Sequence, residues 1–291
     1  MSGAGHNWGD ASLLIDILDV QPFGDGKYRS VAAPHELRAV VEGSQMLAQA
    51  IVAAGRQSPD RRAVSSHMVF FRGADAAQPL CFDLEELSSG RSFTALAVQV
   101  SQGERRRASG TLLLDVTTRD LVRHRVAPPQ VPGPHECEPY DMSVTGRHVR
   151  VADAAYTDDP EAPEGPPLLD AWVRFDEVPH DPHLHAGLLA QFTGHMSIAA
   201  ALRPHPGIGQ SQAHRTISTA VNAIGLSIHS DIRADRWMLY HHLSTFAGDG
   251  MTHSECRVHD QEGNLLASFY VDAMLRPLEG DRTPADYRTA L

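Results

Sequence analysis

The stretch "YHHLSTFAGDGMTHSECRV", residues 240–258, gathers His241, His242 and His253 beside Ser244, Thr245 and Cys256. Imidazoles with a thiol can hold a transition metal, and a histidine beside a hydroxyl can activate a nucleophile. The spacing favours neither. Successive side chains on a strand point to opposite faces, so His241 shares a face with Leu243 and Thr245, and His242 with Ser244 and Phe246. His253 lies beyond a glycine turn, and neither an HxxxH helix nor a second nearby cysteine completes a metal shell. Ser244-Thr245 lacks the elbow that exposes a hydrolase serine. No metal is expected, and His241 and His229 read as hydrogen-bonded structural groups first and as the lining of an apolar pocket second.

The elements that position these residues must come from a two-core chain, because 291 residues exceed one average domain. With 42% hydrophobic and 21% charged residues the chain is an ordinary globular one that buries substantial apolar surface. A net charge of -11 excludes a general nucleic-acid binder, which needs concentrated Lys and Arg. No GxGxxG or P-loop string indicates a nucleotide cofactor. Cys81, Cys137 and Cys256 are odd in number and far apart, as in a reducing cytoplasm. The first twenty residues lack a basic leader, and Asp16 and Asp19 break their apolar run, so neither signal peptide nor membrane span is expected. Ser12 reads as the cap of a short helix.

The chain reads as an internal duplication. "GSQMLAQAIVAAG" from Gly43 and "AGLLAQFTGHMSIAAAL" from Ala186 are both helix-like and share Leu-Ala-Gln. Each precedes matching strand-like runs, 88–109 and 246–268, in which Gly90 answers Gly248 and Ala108 answers Ala267. Short turns at 88–90, 102–104, 247–250 and 261–263 imply a meander in each half. A sheet must cover its apolar face, and "QMLAQAIVAA", apolar on most sides, suits a helix wrapped by a curved sheet. The fold class is therefore α+β: a double hotdog of two tandem helix-wrapped antiparallel sheets. Nine prolines between 123 and 167 mark the crossover. The halves are set at 1–127 and 168–291, with 128–167 holding the crossover and, in "RHVRVAD" (147–153), the first strand of the second half.

The strings "GSQMLAQAIVAA", "SSHMVFFRGADAAQPLCFDLEELSSGRSF", "RPHPGI", "DRWMLYHHLST" and "HDQEGNLLAS" resemble the bacterial type II acyl-CoA thioesterases, double-hotdog enzymes of about this length. The resemblance runs from about residue 12 to 276. It implies a cytoplasmic enzyme of fatty acid metabolism, a homo-oligomer, that hydrolyses acyl-CoA with no cofactor. The family usually carries Gly-Gly-Gln at the helix start, here Gly43-Ser44-Gln45 as the substrate-binding segment. Its members are understood to orient water with an Asp, a Thr or Ser, and a Gln. The match implies Thr245 for the hydroxyl, Ala223 or, with one inserted residue, Asn222 for the Asp, and Val271 for the Gln, with Asp272 next door.

Thioester hydrolysis needs an activated water and donors aimed at the developing oxyanion. The free N–H groups of a helix start at Gly43 and Ser44 supply such donors, and the same two residues also suit an ordinary turn and cap. Glu42 stands before that helix as a replacement base, or as a charge answering the helix dipole. Arg61-Arg62 and Arg105-Arg106-Arg107 are candidate phosphate contacts or plain solvated charge. Two functions follow: acyl-CoA hydrolysis with Thr245, Asn222 and Glu42 as catalytic candidates, or a weakened double hotdog that only binds acyl-CoA. A hotdog hydratase ranks last, because its Asp followed five residues later by His is missing.

Overall fold

The computed structural model describes residues 9–35, 38–140, 142, 144–152 and 163–278. The first half runs β1 (Gly9–Asp10), α1 (Ala11–Leu18), β2 (Gln21–Gly24), β3 (Lys27–Arg29), β4 (Val40–Val41), α2 (Gly43–Gln57), β5 (Arg62–Phe70), β6 (Ala74–Asp75), β7 (Cys81–Ser89), β8 (Phe93–Gln102) and β9 (Arg105–Asp115). The second runs β10 (Glu138–Tyr140), β11 (Val144–Thr145), β12 (Arg147–Val151), β13 (Leu168–Phe175), α3 (Pro182–Phe192), α4 (Ser197–Leu202), β14 (Ile217–Ile228), β15 (Met238–Gly248), β16 (Met251–Asp260) and β17 (Leu265–Pro277). Asp153, the last residue of the expected first strand, and the part of the crossover up to 162 lie outside the described residues.

Thirteen strands form one sheet, in the order β10-β12-β13-β15-β16-β17-β14-β5-β9-β8-β7-β3-β2, and its ladders are antiparallel. The halves meet where β14 pairs with β5, Gly225 opposite His67. The meander is the product of the turns read in sequence: Gly103, at φ 58, joins β8 to β9, and Gly263, at φ 80, joins β16 to β17. Period-two alternation fixes the faces. In β8, Thr94, Leu96, Val98, Val100 and Gln102 are buried and the residues between them are not.

Inside the curve, α2 is buried almost all round, from Ser44 to Gly55. It packs antiparallel against α3: Ser44 lies against Gly194, Val52 against Gly187, and Gly55 against His183. A Cβ on Gly55 would sit 2.3 Å from the His183 ring, so only glycine allows the helices this close. Gln49, wholly buried, donates from Nε2 to the Ile17 carbonyl at 2.7 Å and fastens α1 to the pair.

Two details differ from the sequence expectation. The helix-like run 186–202 is broken: α3 stops at Phe192, the Thr193 hydroxyl donates back to the Ala190 carbonyl at 2.6 Å, and Met196 adopts φ 69 before α4 begins. The first helix is capped by Asp10, whose Oδ1 accepts from the Leu13 N–H at 2.8 Å, and Ser12 sits inside it. Among the described residues no helix is long and apolar enough to cross a membrane.

Candidate active site

Helix α2 starts without a side-chain cap: Glu42 occupies the cap position in extended backbone, φ -70 and ψ 152, and its carboxylate does not turn back on the first N–H groups. A helix start so arranged leaves donors and a partial positive charge facing outward. They face a cavity of about 210 Å³ with apolar walls from Val40, Val41, Met46, Phe70, Phe71 and Val221. Polar groups enter it at Glu42, Ser44, Arg72, His214, Thr219 and Asn222. Ser44 Oγ and Asn222 Oδ1 are buried and have no hydrogen-bond partner among the described residues. Buried polar atoms are normally paired, so two unpaired ones in one cavity mark a place for a polar ligand atom.

Asn222 reaches the cavity through a β-bulge. Val221 pairs with Ala273 and Ala223 with Asp272, leaving Asn222 as the extra residue, which re-aims its side chain. Asn222 is the residue that the match with one inserted residue brings in. Ala223 sits in the ladder between Val69 and Asp272.

Behind Glu42 lies a polar network that the sequence reading passed over. His195, on the link between α3 and α4, places Nε2 3.5 Å from Glu42 Oε2. Arg147 Nη1 lies 3.5 Å and Gln191 Nε2 3.4 Å from the same nitrogen, and Arg147 Nη1 donates to Gln191 Oε1 at 3.3 Å. Arg147 Nη2 donates to the Met142 carbonyl. Burial drives the His195 pKa down to about 4; Glu42 opposes the fall and Arg147 adds to it, so the ring is neutral at pH 7. On the other side, buried Arg38 donates to Gln45 Oε1 and to the Ala33 carbonyl. Gln45 passes the chain on to Gln49 at 3.4 Å.

The sequence candidates therefore separate. Glu42, Gly43, Ser44 and Asn222 line one cavity, while the Gln45 side chain is buried behind it in the Arg38 network. Thr245 is exposed and does not line the cavity: the β15–β16 ladder slips between Ser244 and Phe246, and Thr245 is the residue left unpaired. Its expected place beside Asn222 is corrected. Val271 is a core residue opposite Ile224 and Ser254, and Asp272 points to the other face.

Two families of domain sequences match this chain. Residues 32–114 match the acyl-CoA thioesterase N-terminal domain and residues 120–270 the acyl-CoA thioesterase C-terminal domain. The chain belongs to the acyl-CoA thioesterase family. It is 25% identical over 281 residues to acyl-CoA thioesterase 2 of Haemophilus influenzae, covering 90% of this chain and 96% of that one. Human acyl-coenzyme A thioesterase 8 is likewise 25% identical, over 91% and 89% of the two chains. Among solved structures, acyl-CoA thioesterase II TesB2 of Mycobacterium marinum superposes with a TM-score of 0.77 at 23% identity, covering 92% of this chain and 99% of that one. An Alicyclobacillus acidocaldarius protein described as having the hot dog fold gives 0.71 at 16%, over 92% and 99%. The double hotdog fold is thereby established for this thioesterase-family chain.

The histidines of 240–258 take three unrelated places in the fold. His241 Nδ1 pairs with Asp170 at 2.8 Å and His253 Nδ1 with Asp272 at 2.6 Å. His242 is fully buried with its Nδ1 3.1 Å from Cys256 Sγ and 3.3 Å from Ser197 Oγ; burial lowers its pKa to about 3 and pushes the Cys256 thiol up. Such a thiol carries no nucleophilic thiolate at neutral pH. Of the arginines, Arg62 is held by Asp115 and Arg61 by the Gly90 carbonyl, and Arg107 donates to Gly73 and Gln102. Arg72 lines the cavity.

Proposed function

We propose that this protein hydrolyses acyl-CoA thioesters at the open start of α2. The observation that carries the reading is the meeting, in one apolar cavity, of an uncapped helix N-terminus, the Glu42 carboxylate and the unpartnered Ser44 Oγ and Asn222 Oδ1. The acyl chain occupies the apolar walls, and the thioester carbonyl points at the free N–H groups of Gly43, Ser44 and Gln45. Glu42 takes a proton from a water that Asn222 orients, and the water oxygen attacks the carbonyl carbon. Negative charge collects on the carbonyl oxygen, where the helix start stabilises it; one such donor is typically worth about 10² to 10³ in rate. Collapse breaks the C–S bond, and Glu42 returns its proton to the departing thiolate, giving a carboxylic acid and CoA. General-base assistance contributes about 10² to 10⁴ more. The Gln45 side chain, held by Arg38, fixes the first turn.

The three cysteines are unbridged, which supports a cytoplasmic setting. A role in fatty acid metabolism as a homo-oligomer follows the family. Release of free thiol by the purified protein over acyl-CoAs from acetyl to palmitoyl tests the reading. Hydrolysis of at least one chain-length class is expected. Binding without thiol release across the whole panel would leave only an acyl-CoA-binding role.

A further inference from the structure

The cavity at the start of α2 is closed at its inner end. Its exposed rim is Phe71, Arg72 and Gly73, past which the CoA moiety, too large for the cavity, must leave for solvent. An acyl group whose carbonyl sits at the helix start therefore points the other way, inward. There the walls are Val41, Met46, Phe70 and Thr219, all buried. The Phe70 ring presses so closely on the helix start that a Cβ on Gly43 would come within 2.8 Å of it. Met46 stands one turn behind Gly43 on the same face of α2. Further along that stripe, Ala50 and Ala53 are wholly buried in the core and line no part of the cavity. Met46 is the one long side chain of the stripe, and its length shuts the chamber. Two further hollows, beside Tyr270 and beside Trp172, share no wall residue with it.

Resting on the hydrolytic reading above, we propose that the enzyme selects short acyl groups, up to about six carbons, and that Met46 sets the limit. A dry cavity of about 150 Å³ takes one benzene, so one of about 210 Å³ takes roughly eight atoms of that size. The carbonyl oxygen and the attacking water occupy about two of those places, and the acyl carbons share the rest. A palmitoyl chain does not fit without displacing Met46 or Phe70, both members of the close-packed core. Each methylene that does enter exchanges water for an apolar wall, which is worth about fourfold in affinity. A methylene left outside in water gains nothing comparable. The signature is a break in the chain-length series, a steep rise followed by a plateau.

The probes are 2-oxoalkyl-CoA thioethers, which keep the carbonyl and cannot be hydrolysed, with tails matching acetyl to dodecanoyl. Titrated into the intact protein, they should bind about fourfold tighter per methylene up to the hexanoyl match, then change less than about twofold in total to the dodecanoyl match. For the acyl-CoAs themselves, kcat/KM should peak at butanoyl to hexanoyl and be at least about tenfold lower for palmitoyl. Met46→Ala removes Cγ, Sδ and Cε from the floor and should carry the break out by about two to three carbons. Affinity that keeps climbing to the dodecanoyl match in the parent protein overturns the inference, as does affinity that is flat from acetyl onward. A folded Met46→Ala protein whose break stays at hexanoyl overturns the role of Met46; if that variant does not fold, the parent series decides alone. The break seen without thiol release from any acyl-CoA sinks the hydrolytic reading and leaves the size limit standing. Thiol release fastest from palmitoyl-CoA keeps that reading and sinks the size limit.

Discussion

The antiparallel helix pair has two ends, built from corresponding parts of the two halves, and they have been finished differently. At one end α3 starts behind Asp181, whose carboxylate accepts from the His183 N–H at 2.8 Å and the Leu184 N–H at 3.3 Å, with Pro182 in the first turn. Arg56, in the last turn of α2, closes that end with a 2.6 Å bond to Asp181 and a 2.7 Å bond to Asp19. Burial alone would raise the Asp181 pKa, but the hydrogen bonds from Arg56 and the helix N–H groups hold it below the usual carboxylate range. At the other end α2 starts behind Glu42, which caps nothing and looks into a cavity, with neutral His195 in the place that a charged arginine fills at the closed end. The N-terminal N–H groups of α3 are saturated, and those of α2 are left without a side-chain cap. Placing the chemistry at the available end follows from electrostatics, since only unsatisfied donors can answer charge that develops during reaction.

Closing the open end should have the largest effect. A Cβ on Gly194 would lie 2.5 Å from Ser44 Oγ, so Gly194→Val should push the helix start out of register and reduce hydrolysis by more than about 100-fold in steady-state assays. Acid should come next. His195 and His242 have folded pKa values of about 4 and about 3, depressed below the ordinary 6.5, so the unfolded chain binds protons first as pH falls. Stability contributed by their neutrality is complete above pH 6.5 and is lost on the way down to about 4 for His195 and about 3 for His242. Each should take about 1.4 kcal/mol per pH unit within its window, as read by urea unfolding from pH 7 to 4.5. Opening the closed end should matter least to activity: Asp181→Ala should cost about 1 to 2 kcal/mol of stability through the lost cap and ion pair, with kcat changed less than twofold.

Much of this architecture was legible because it is periodic. The glycine turns at 90 and 248, the all-round apolar "QMLAQAIVAA" and the proline-rich crossover each state a local preference that the fold obeys. Of the cavity-lining candidates, Glu42, Gly43 and Ser44 were legible from a helix start, and Asn222 from the family match with one inserted residue. Thr245 read as part of a regular strand, yet both it and Asn222 sit at bulges, which add one residue and reverse the face without a sequence mark; one bulge carries Asn222 to the cavity while the other leaves Thr245 exposed. Arg38, Arg147 and His195 come together from three distant segments, and no spacing within one element could announce that. The one local sign was Thr193-Gly194-His195, a glycine inside an otherwise helical run.

The most direct test of the open-end account compares Glu42→Gln with Thr245→Ala, assayed side by side for thiol release from the best acyl-CoA of the panel. The account predicts that Glu42→Gln lowers kcat at least about tenfold while acyl-CoA binding is largely kept, and that Thr245→Ala stays within about twofold of the parent. Full activity in Glu42→Gln together with a large loss in Thr245→Ala would contradict it and place the chemistry on the exposed bulge of β15.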